Sequence, residues 1–413
     1  MAELYKYQKN CVTKLLNGKH IICAGMGMGK NPMSVVWAVE KCEKTGKNKI
    51  LVVTTASKAK TTDHWDDLCT FCAGKEKSLS SFSVISWHKL KAWVEEHRKE
   101  LNKWVVIFDE VQRSKGYSTG MGKAFLTITK YNKDWAGFTG TPGDAWDSFI
   151  SYFVATNKTT CKTHFLNAYA NIQTYKGYPE IVSWRNENKL RSMWADISYA
   201  PDTSIVAQQL PKETYRTITV SKPKGYAKVL KTRENANGEF LDTSGALVAE
   251  LRRICFTNDK QQWMSDFVES VESGAVIFYN YIATGDKLEE IIKKALPKGA
   301  RVWRIDGRHH EIPTAKTIGK KDMVLCQWQS GSEALNLQFL HYWVGVELCY
   351  SYSTFIQSIG RIKRIGQTMP MTFYLLVTEN TIEQDVLDCL RGKREFSERN
   401  WCINNNIIEK GEK

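Results

Sequence analysis

The stretch that decides the fold reads Lys19-His20-Ile21-Ile22-Cys23-Ala24-Gly25-Met26-Gly27-Met28-Gly29-Lys30-Asn31. It opens as a short apolar run, turns through three alternating glycines and ends on a lysine. A helix-like segment follows, Met33 to Lys44. Strand, glycine-rich turn and helix in that order make a phosphate cradle. Glycines let the backbone turn tightly, so several N–H groups point inward. The helix presents its N-terminus, and the lysine reaches the β- and γ-phosphates. Gly25, Met26, Gly27, Met28, Gly29, Lys30 and Asn31 are therefore the candidate nucleotide-binding residues. A Ser or Thr hydroxyl ordinarily follows the lysine and ligates Mg²⁺. The amide oxygen of Asn31 is a different hard donor for that ion.

Working outward, apolar strands alternate with helical segments. Ile50–Thr55, Phe82–Ser86, Trp104–Phe108 and Trp135–Thr139 read as buried strands. Near-continuous apolar strands separated by helices mean a parallel sheet covered on both faces. From about Asp144 to Asp202 the chain turns rich in Trp, Tyr and Asn and reads as helical or irregular. Arg233–Gly245 is polar and turn-forming, hence a loop. Leu247–Phe256, Gln261–Val271 and Lys287–Ala295 read as helices. Strands resume at Ala275–Tyr279, Arg301–Ile305, Asp322–Cys326, Trp343–Glu347 and Met371–Val377. The chain is thus α/β throughout, with two domains expected at residues 1–210 and 211–413.

Two acids stand at the end of the Trp104 strand, in Phe108-Asp109-Glu110-Val111-Gln112. Acidic residues there face the crevice where doubly wound sheets bind ligands. Asp109 is the second candidate metal ligand beside Asn31, and Glu110 the candidate base for the attacking water. Thr139-Gly140-Thr141-Pro142 closes another strand, and its hydroxyls suit hydrogen bonds to the acids or to nucleic-acid phosphate. Far downstream lies Gln357-Ser358-Ile359-Gly360-Arg361-Ile362-Lys363-Arg364-Ile365-Gly366-Gln367. Arg361 and Arg364 share a face if this segment is helical. Guanidinium groups facing a γ-phosphate stabilise the charge of its transfer.

Composition agrees with a polyanionic partner. The 413 residues carry 58 Lys+Arg against 44 Asp+Glu, a formal charge of +14. Such an excess favours nucleic acid first and an anionic membrane surface second. No apolar run reaches the roughly 18–20 residues of a membrane span. The N-terminal MAELYKYQKN has no apolar signal core. Eleven cysteines without such a signal suit reduced thiols and a cytoplasmic setting. Cys69 and Cys72 with His64 form half of a zinc pattern that no second pair completes. Lys41, Lys44, Lys47 and Lys49 are a basic run suited to DNA or to a solvated face. Trp135, Trp146, Trp184 and Trp194 read as core residues.

Together these motifs resemble, in order and over nearly the whole chain, those of superfamily 2 helicases. Within them they resemble the Swi/Snf-like DNA-translocating ATPases. Leu4-Tyr5-Lys6-Tyr7-Gln8 resembles the family's first motif, which implies that Gln8 reads adenine. Val84-Ile85-Ser86-Trp87 resembles motif Ib, Asp109-Glu110-Val111-Gln112 motif II, and Thr139-Gly140-Thr141-Pro142 motif III. Val276–Tyr279 resembles motif IV, and Arg304-Ile305-Asp306-Gly307 a further family segment. Gly331-Ser332-Glu333-Ala334-Leu335-Asn336-Leu337 resembles motif V with two glycines replaced. Arg364-Ile365-Gly366-Gln367 is the most Swi/Snf-specific signature.

The resemblance implies two tandem RecA-like domains with small helical insertions, and a DNA-stimulated ATPase, a translocase or helicase. ATP and Mg²⁺ would lie in the interdomain cleft. Lys30, Asp109, Glu110, Gln357, Arg361 and Arg364 would be catalytic. Gln8, Gly331 and Glu333 would join the phosphate loop in binding the nucleotide. Gln112, Thr139, Thr141 and Asn336 would couple to DNA. Double-stranded DNA, held through phosphates without regard to sequence, is favoured over RNA. A small motor of viral or replicon type is expected. Two alternatives stand beside the motor. One is an ATP- and DNA-binding module with weak turnover because of Asn31. The other is the motor subunit of a larger nucleic-acid-processing complex.

Overall fold

A computed structural model describes all residues except 1, 26, 57, 144, 176–177, 203–209, 310, 332–334, 365, 395, 406 and 408–413. Of the expected site residues, Met26 and Glu333 lie outside the described residues, as do Ser332, Ala334 and Ile365. The chain divides into two compact units, Met1–Ala207 and Gln208–Lys413.

The first unit is built on strands β1 (Ile21–Cys23), β2 (Lys49–Thr54), β3 (Ser81–Ser86), β4 (Trp104–Asp109) and β5 (Trp135–Thr139). An antiparallel hairpin, β6 (Ala170–Tyr175) and β7 (Tyr178–Trp184), stands apart from the main sheet, and β8 (Ser198–Tyr199) closes the sheet's edge. The sheet order is β3-β2-β4-β5-β1-β8, and every pairing in it is parallel. Every residue of β4 and β5 is buried, as strands covered on both faces require. Phe108, Phe125 and Trp135 pack edge to face at the centre of one side.

The second unit repeats the design. Its strands are β9 (Glu213–Val220), β10 (Ala275–Tyr279), β11 (Val302–Ile305), β12 (Met323–Gln327), β13 (Tyr342–Gly345) and β14 (Met371–Thr378). The order is β11-β12-β10-β13-β14-β9, again all parallel. Helices flank both sheets, and the molecule carries two tandem RecA-like domains. Phe278, Trp328 and Trp343 pack ring against ring at the core of the second. Among the described residues no helix is long and apolar enough to cross a membrane.

Two elements differ from the sequence reading. The stretch expected to be helical or irregular holds the β6–β7 hairpin as well as helices Ile150–Ala155, Lys162–Tyr169 and Glu187–Ile197. The second is β9, Glu-Thr-Tyr-Arg-Thr-Ile-Thr-Val, which pairs along its whole length with β14. It is an edge strand with most of its side chains exposed or half-exposed. Its polar composition therefore lacks the apolar run that marks an inner strand.

Candidate active site

In the first unit, the chain leaves β1 at Cys23, and helix Lys30–Thr45 starts immediately after the glycine loop. Gly29 is the residue before that helix, with φ 69° and ψ 49°. A Cβ there would lie 2.3 Å from Gln8 Nε2. Glycine is needed both for the left-handed backbone and for the close approach of Gln8. Gln8 is buried, donates from Nε2 to the Met28 carbonyl at 3.1 Å and accepts the Tyr5 N–H at 2.9 Å. The Tyr7 hydroxyl donates to the same Met28 carbonyl at 3.0 Å. Gln8 thus clamps the phosphate loop, a contact its resemblance to an adenine reader does not include.

The loop's lysine folds back over it. Lys30 Nζ donates to the Ala24 carbonyl at 3.2 Å and is buried. The Cβ position of Gly140 lies 3.7 Å from that ammonium and 3.4 Å from the Ala24 carbonyl oxygen. Thr139-Gly140-Thr141 therefore lies directly on the phosphate loop. Thr139 is fully buried and accepts the Thr141 N–H at 3.0 Å.

Asp109 ends β4 and is buried. Its Oδ2 accepts from Thr54 Oγ1 at 2.7 Å and pairs with Lys58 Nζ at 2.9 Å. Burial alone would raise its carboxyl. The ammonium of Lys58, nearby His64, the Thr54 hydrogen bond and Lys30 outweigh it and hold the group well below the usual carboxylate range. Its Oδ1 is buried and makes no hydrogen bond among the described residues. The main chain of this turn is also fixed, since Trp87 Nε1 donates to the Asp109 carbonyl at 2.8 Å. Glu110 follows with φ 51°, a left-handed conformation that a glutamate adopts rarely. Its Oε2 accepts from Gln112 Nε2 at 2.7 Å.

Donor chemistry at this turn suits a divalent ion. Asp109 Oδ1 is a buried carboxylate oxygen without a partner among the described residues, and Asn31 Oδ1 is a carbonyl oxygen nearby. Hard cations take such oxygens. Lys58 Nζ, however, sits 3.4 Å from Asn31 Oδ1 as well as 2.9 Å from Asp109. Sequence reading missed Lys58, and no local pattern marks it.

In the second unit, the segment with the arginines is not continuously helical. Helix Tyr352–Ile359 ends before them, with Gly360 as its cap. Arg361 and Arg364 therefore do not share a helical face. They lie in successive turns, with Arg361 N–H donating to the Ser358 carbonyl at 3.0 Å and Gln367 N–H to the Arg364 carbonyl at 3.0 Å. Arg361 is buried, and its Nη1 donates to the Leu335 carbonyl at 3.1 Å. The Leu337 N–H donates to the Arg361 carbonyl at 3.1 Å. Gln367 Nε2 donates to the Leu340 carbonyl at 2.8 Å. Gln357 and Arg364 are half-buried and Asn336 is exposed. Gly331 ends the short helix Trp328–Gly331.

Asp306 is fully buried and accepts from Arg304 Nε at 2.6 Å, Tyr279 Oη at 3.0 Å and the N–H groups of Arg308 and His309. Its carboxylate is thus held by the protein itself at the point where β11 ends. In the basic run, Lys47 lies 2.5 Å and Lys41 3.5 Å from Asp134, and Lys49 lies 3.0 Å from Glu100. Part of that charge is neutralised by the protein's own acids.

An uncharacterized ATP-dependent helicase of Bacillus subtilis, YqhH, is 24% identical over 168 residues, covering 38% of this chain and 28% of that protein. This chain is similar to ATP-dependent helicases. A second, uncharacterized one from Mycoplasma pneumoniae is 21% identical over 361 residues, 81% of this chain and 34% of that protein. The aligned regions thus span about a third of these helicases' length. Among solved structures, the Sulfolobus solfataricus SWI2/SNF2 ATPase core in complex with dsDNA matches at 16% identity and a TM-score of 0.43. That match covers 100% of this chain and 94% of the other. No family model matches the sequence.

Proposed function

We propose that the chain is an ATP-hydrolysing motor that acts on duplex DNA. The observation that carries this is the convergence on one glycine loop. Lys30 lies on the loop, the Gly140 turn packs against it, and Asp109 is joined through the Lys58 ammonium to Asn31, the residue after Lys30. Convergence of a loop lysine, a strand-end carboxylate and a small-residue turn suits phosphoryl transfer. Lys30 would draw charge from the β- and γ-phosphates. Asn31 and Asp109 would hold Mg²⁺, whose chemistry when bound is to neutralise phosphate charge. Glu110 would orient and deprotonate the attacking water, with Gln112 holding the Glu110 carboxylate. Arg364 and Arg361 of the second unit would act on the same nucleotide, so hydrolysis would require both units.

The formal charge of +14 supports a phosphate backbone as partner. Thr141 and Asn336 would meet DNA through small polar groups that fix register without reading bases. The bias toward duplex rests on the resemblance of Arg364-Ile365-Gly366-Gln367 to Swi/Snf-like translocases. The decisive measurement is the ATPase rate of the full chain alone and with single-stranded DNA, duplex DNA, forked DNA and RNA in parallel. Duplex should raise the rate most, and Lys30→Ala and Glu110→Gln should abolish it. A rate indifferent to every nucleic acid would sink the motor reading.

One observation favours a second reading, an ATP- and DNA-binding module that turns over slowly. Asn31 engages Lys58 where a hydroxyl would engage the metal. Comparing the unchanged chain with Asn31→Thr separates the two: a rate that rises more than about tenfold in the variant would favour the binding module.

A further inference from the structure

Lys58 belongs to no phosphate-binding pattern, yet its ammonium touches both Asp109 and Asn31, the two candidate ligands of the divalent ion. It opens the short 3-10 turn Lys58–Lys60 just after β2. Its ammonium is 2.9 Å from Asp109 Oδ2 and 3.4 Å from Asn31 Oδ1. Asp109 Oδ2 is completed by the Thr54 hydroxyl at 2.7 Å. Asn31 comes from the first turn of helix Lys30–Thr45, Asp109 from β4 and Lys58 from the turn that follows β2, so three separate elements meet at one ammonium.

The chemistry of the pair Asn31 and Lys58 is complementary. A Thr or Ser hydroxyl in place of Asn31 would both donate and accept. An amide oxygen only accepts, which suits an ammonium as well as a metal ion. Mg²⁺ demands oxygens at about 2.0–2.1 Å in a near-octahedral shell. An ammonium already within hydrogen-bond distance of both oxygens overlaps that shell, and its charge repels a dication. The Lys58 side chain keeps 21% of its surface exposed, so it has a path out toward solvent.

We propose that the Lys58 ammonium is a tethered cation that competes with the divalent ion for Asn31 and Asp109, so that the ion enters only as Lys58 withdraws. This rests on the nucleotide reading of the site and adds a regulator to it. Nucleotide without metal would find a pocket whose charge is already balanced. Metal would bind weakly until a movement of the Lys58 turn releases its oxygens.

The test uses Mn²⁺ as the probe, titrated by electron paramagnetic resonance into the full chain with saturating ADP. Fluorescent mant-ADP binding in EDTA is measured alongside. Lys58→Met should bind Mn²⁺ about tenfold more tightly than the unchanged chain, the size expected when a partly buried competing ion pair is removed. Lys58→Arg, which keeps the charge, should stay within about twofold of the unchanged chain. Equal or weaker Mn²⁺ affinity in Lys58→Met, with mant-ADP still bound, overturns the competition alone. The same holds if Lys58→Arg behaves like Lys58→Met. Failure of mant-ADP to bind any of the three proteins overturns the nucleotide reading, and the competition with it.

Discussion

Gly29→Ala tests the join between Gln8 and the phosphate loop. The backbone there has φ 69° and ψ 49°. Alanine in a left-handed conformation costs about 1–2 kcal/mol relative to glycine. The new methyl would start 2.3 Å from Gln8 Nε2 and 3.4 Å from Pro32 Cγ. Gln8 is buried and holds Tyr5 N–H and the Met28 carbonyl, so its amide can retreat only by giving up the Met28 bond. That adds about 1 kcal/mol. The added cost is no larger because Tyr7 still donates to the Met28 carbonyl. The sum, about 2–3 kcal/mol, is roughly 30–150-fold in an equilibrium constant. Two units need not unfold together, so a bulk signal would blend them. Hydrogen exchange of peptides from residues 20–45 along a urea series isolates the first unit. In a Gln8→Ala background only the backbone cost should remain, leaving a coupling of about 1 kcal/mol. Gly29→Ala matching the unchanged chain within about 0.5 kcal/mol, or strict additivity with Gln8→Ala, would refute the reasoning.

The other expectations concern charge. Asp67 has its carboxyl pushed up to about 6 by burial and by its neighbours Asp63 and Asp66. The sign follows from linkage: the folded state holds that proton more tightly than the unfolded chain, so stability falls as pH rises from about 4 to 6. Asp67→Asn should therefore stabilise the first unit by about 1 kcal/mol above pH 6, after allowance for solvent screening, and change little at pH 4; urea midpoints at both pH values decide it. Lys260 is fully buried between both oxygens of Glu383, at 2.8 and 2.7 Å, and the Val346 carbonyl. Lys260→Met should cost the second unit about 3–5 kcal/mol by stranding the carboxylate, and adding Glu383→Gln should recover part of it; a loss below about 1 kcal/mol in thermal unfolding would contradict this. Arg361→Ala and Arg364→Ala should each lower turnover by about 10³-fold. Arg361→Ala should also lower the urea midpoint of the second unit, because it removes the buried bond to Leu335, and normal turnover in both refutes their role.

What could be read from sequence followed from how local the physics is. The phosphate loop was legible because its glycines, lysine and flanking strand lie within a dozen residues. Inner strands were legible because burial on both faces demands unbroken apolar runs, as in Trp104–Phe108. β9 was not, since an edge strand half in solvent tolerates Glu, Arg and Thr. The arginine pair was visible in composition but not in setting. Only the structure shows that the helix stops at Ile359. Lys58 was illegible for a different reason: its partners lie 27 and 51 residues away in sequence. His64 is similar, buried beside Asp109 with neither ring nitrogen hydrogen-bonded among the described residues, its proton affinity lowered by burial.

The second unit adds a constraint that neither motif implies by itself. Three bonds tie residues 335–340 to the arginine turns: Arg361 Nη1 to Leu335, Leu337 N–H to Arg361, and Gln367 Nε2 to Leu340. Two use backbone carbonyls as acceptors for buried side chains, which makes them costly to break. Gly366 turns the chain between them at φ 100°. Exposed Asn336 and half-buried Arg364 therefore ride on one braced piece. On the proposed function, the first would meet DNA and the second phosphate. A shift felt at either would then be transmitted without any change of secondary structure. The brace explains why a neutral amide closes the Arg364–Gln367 signature, since its Nε2 donates to the Leu340 and Ile362 carbonyls. Gln367→Glu keeps the shape but turns the donor into an acceptor facing the Leu340 and Ile362 carbonyls. It should uncouple DNA stimulation from basal ATPase more than it lowers the basal rate itself. Equal loss of both rates would mean that Gln367 supports the fold of the turn and nothing more specific.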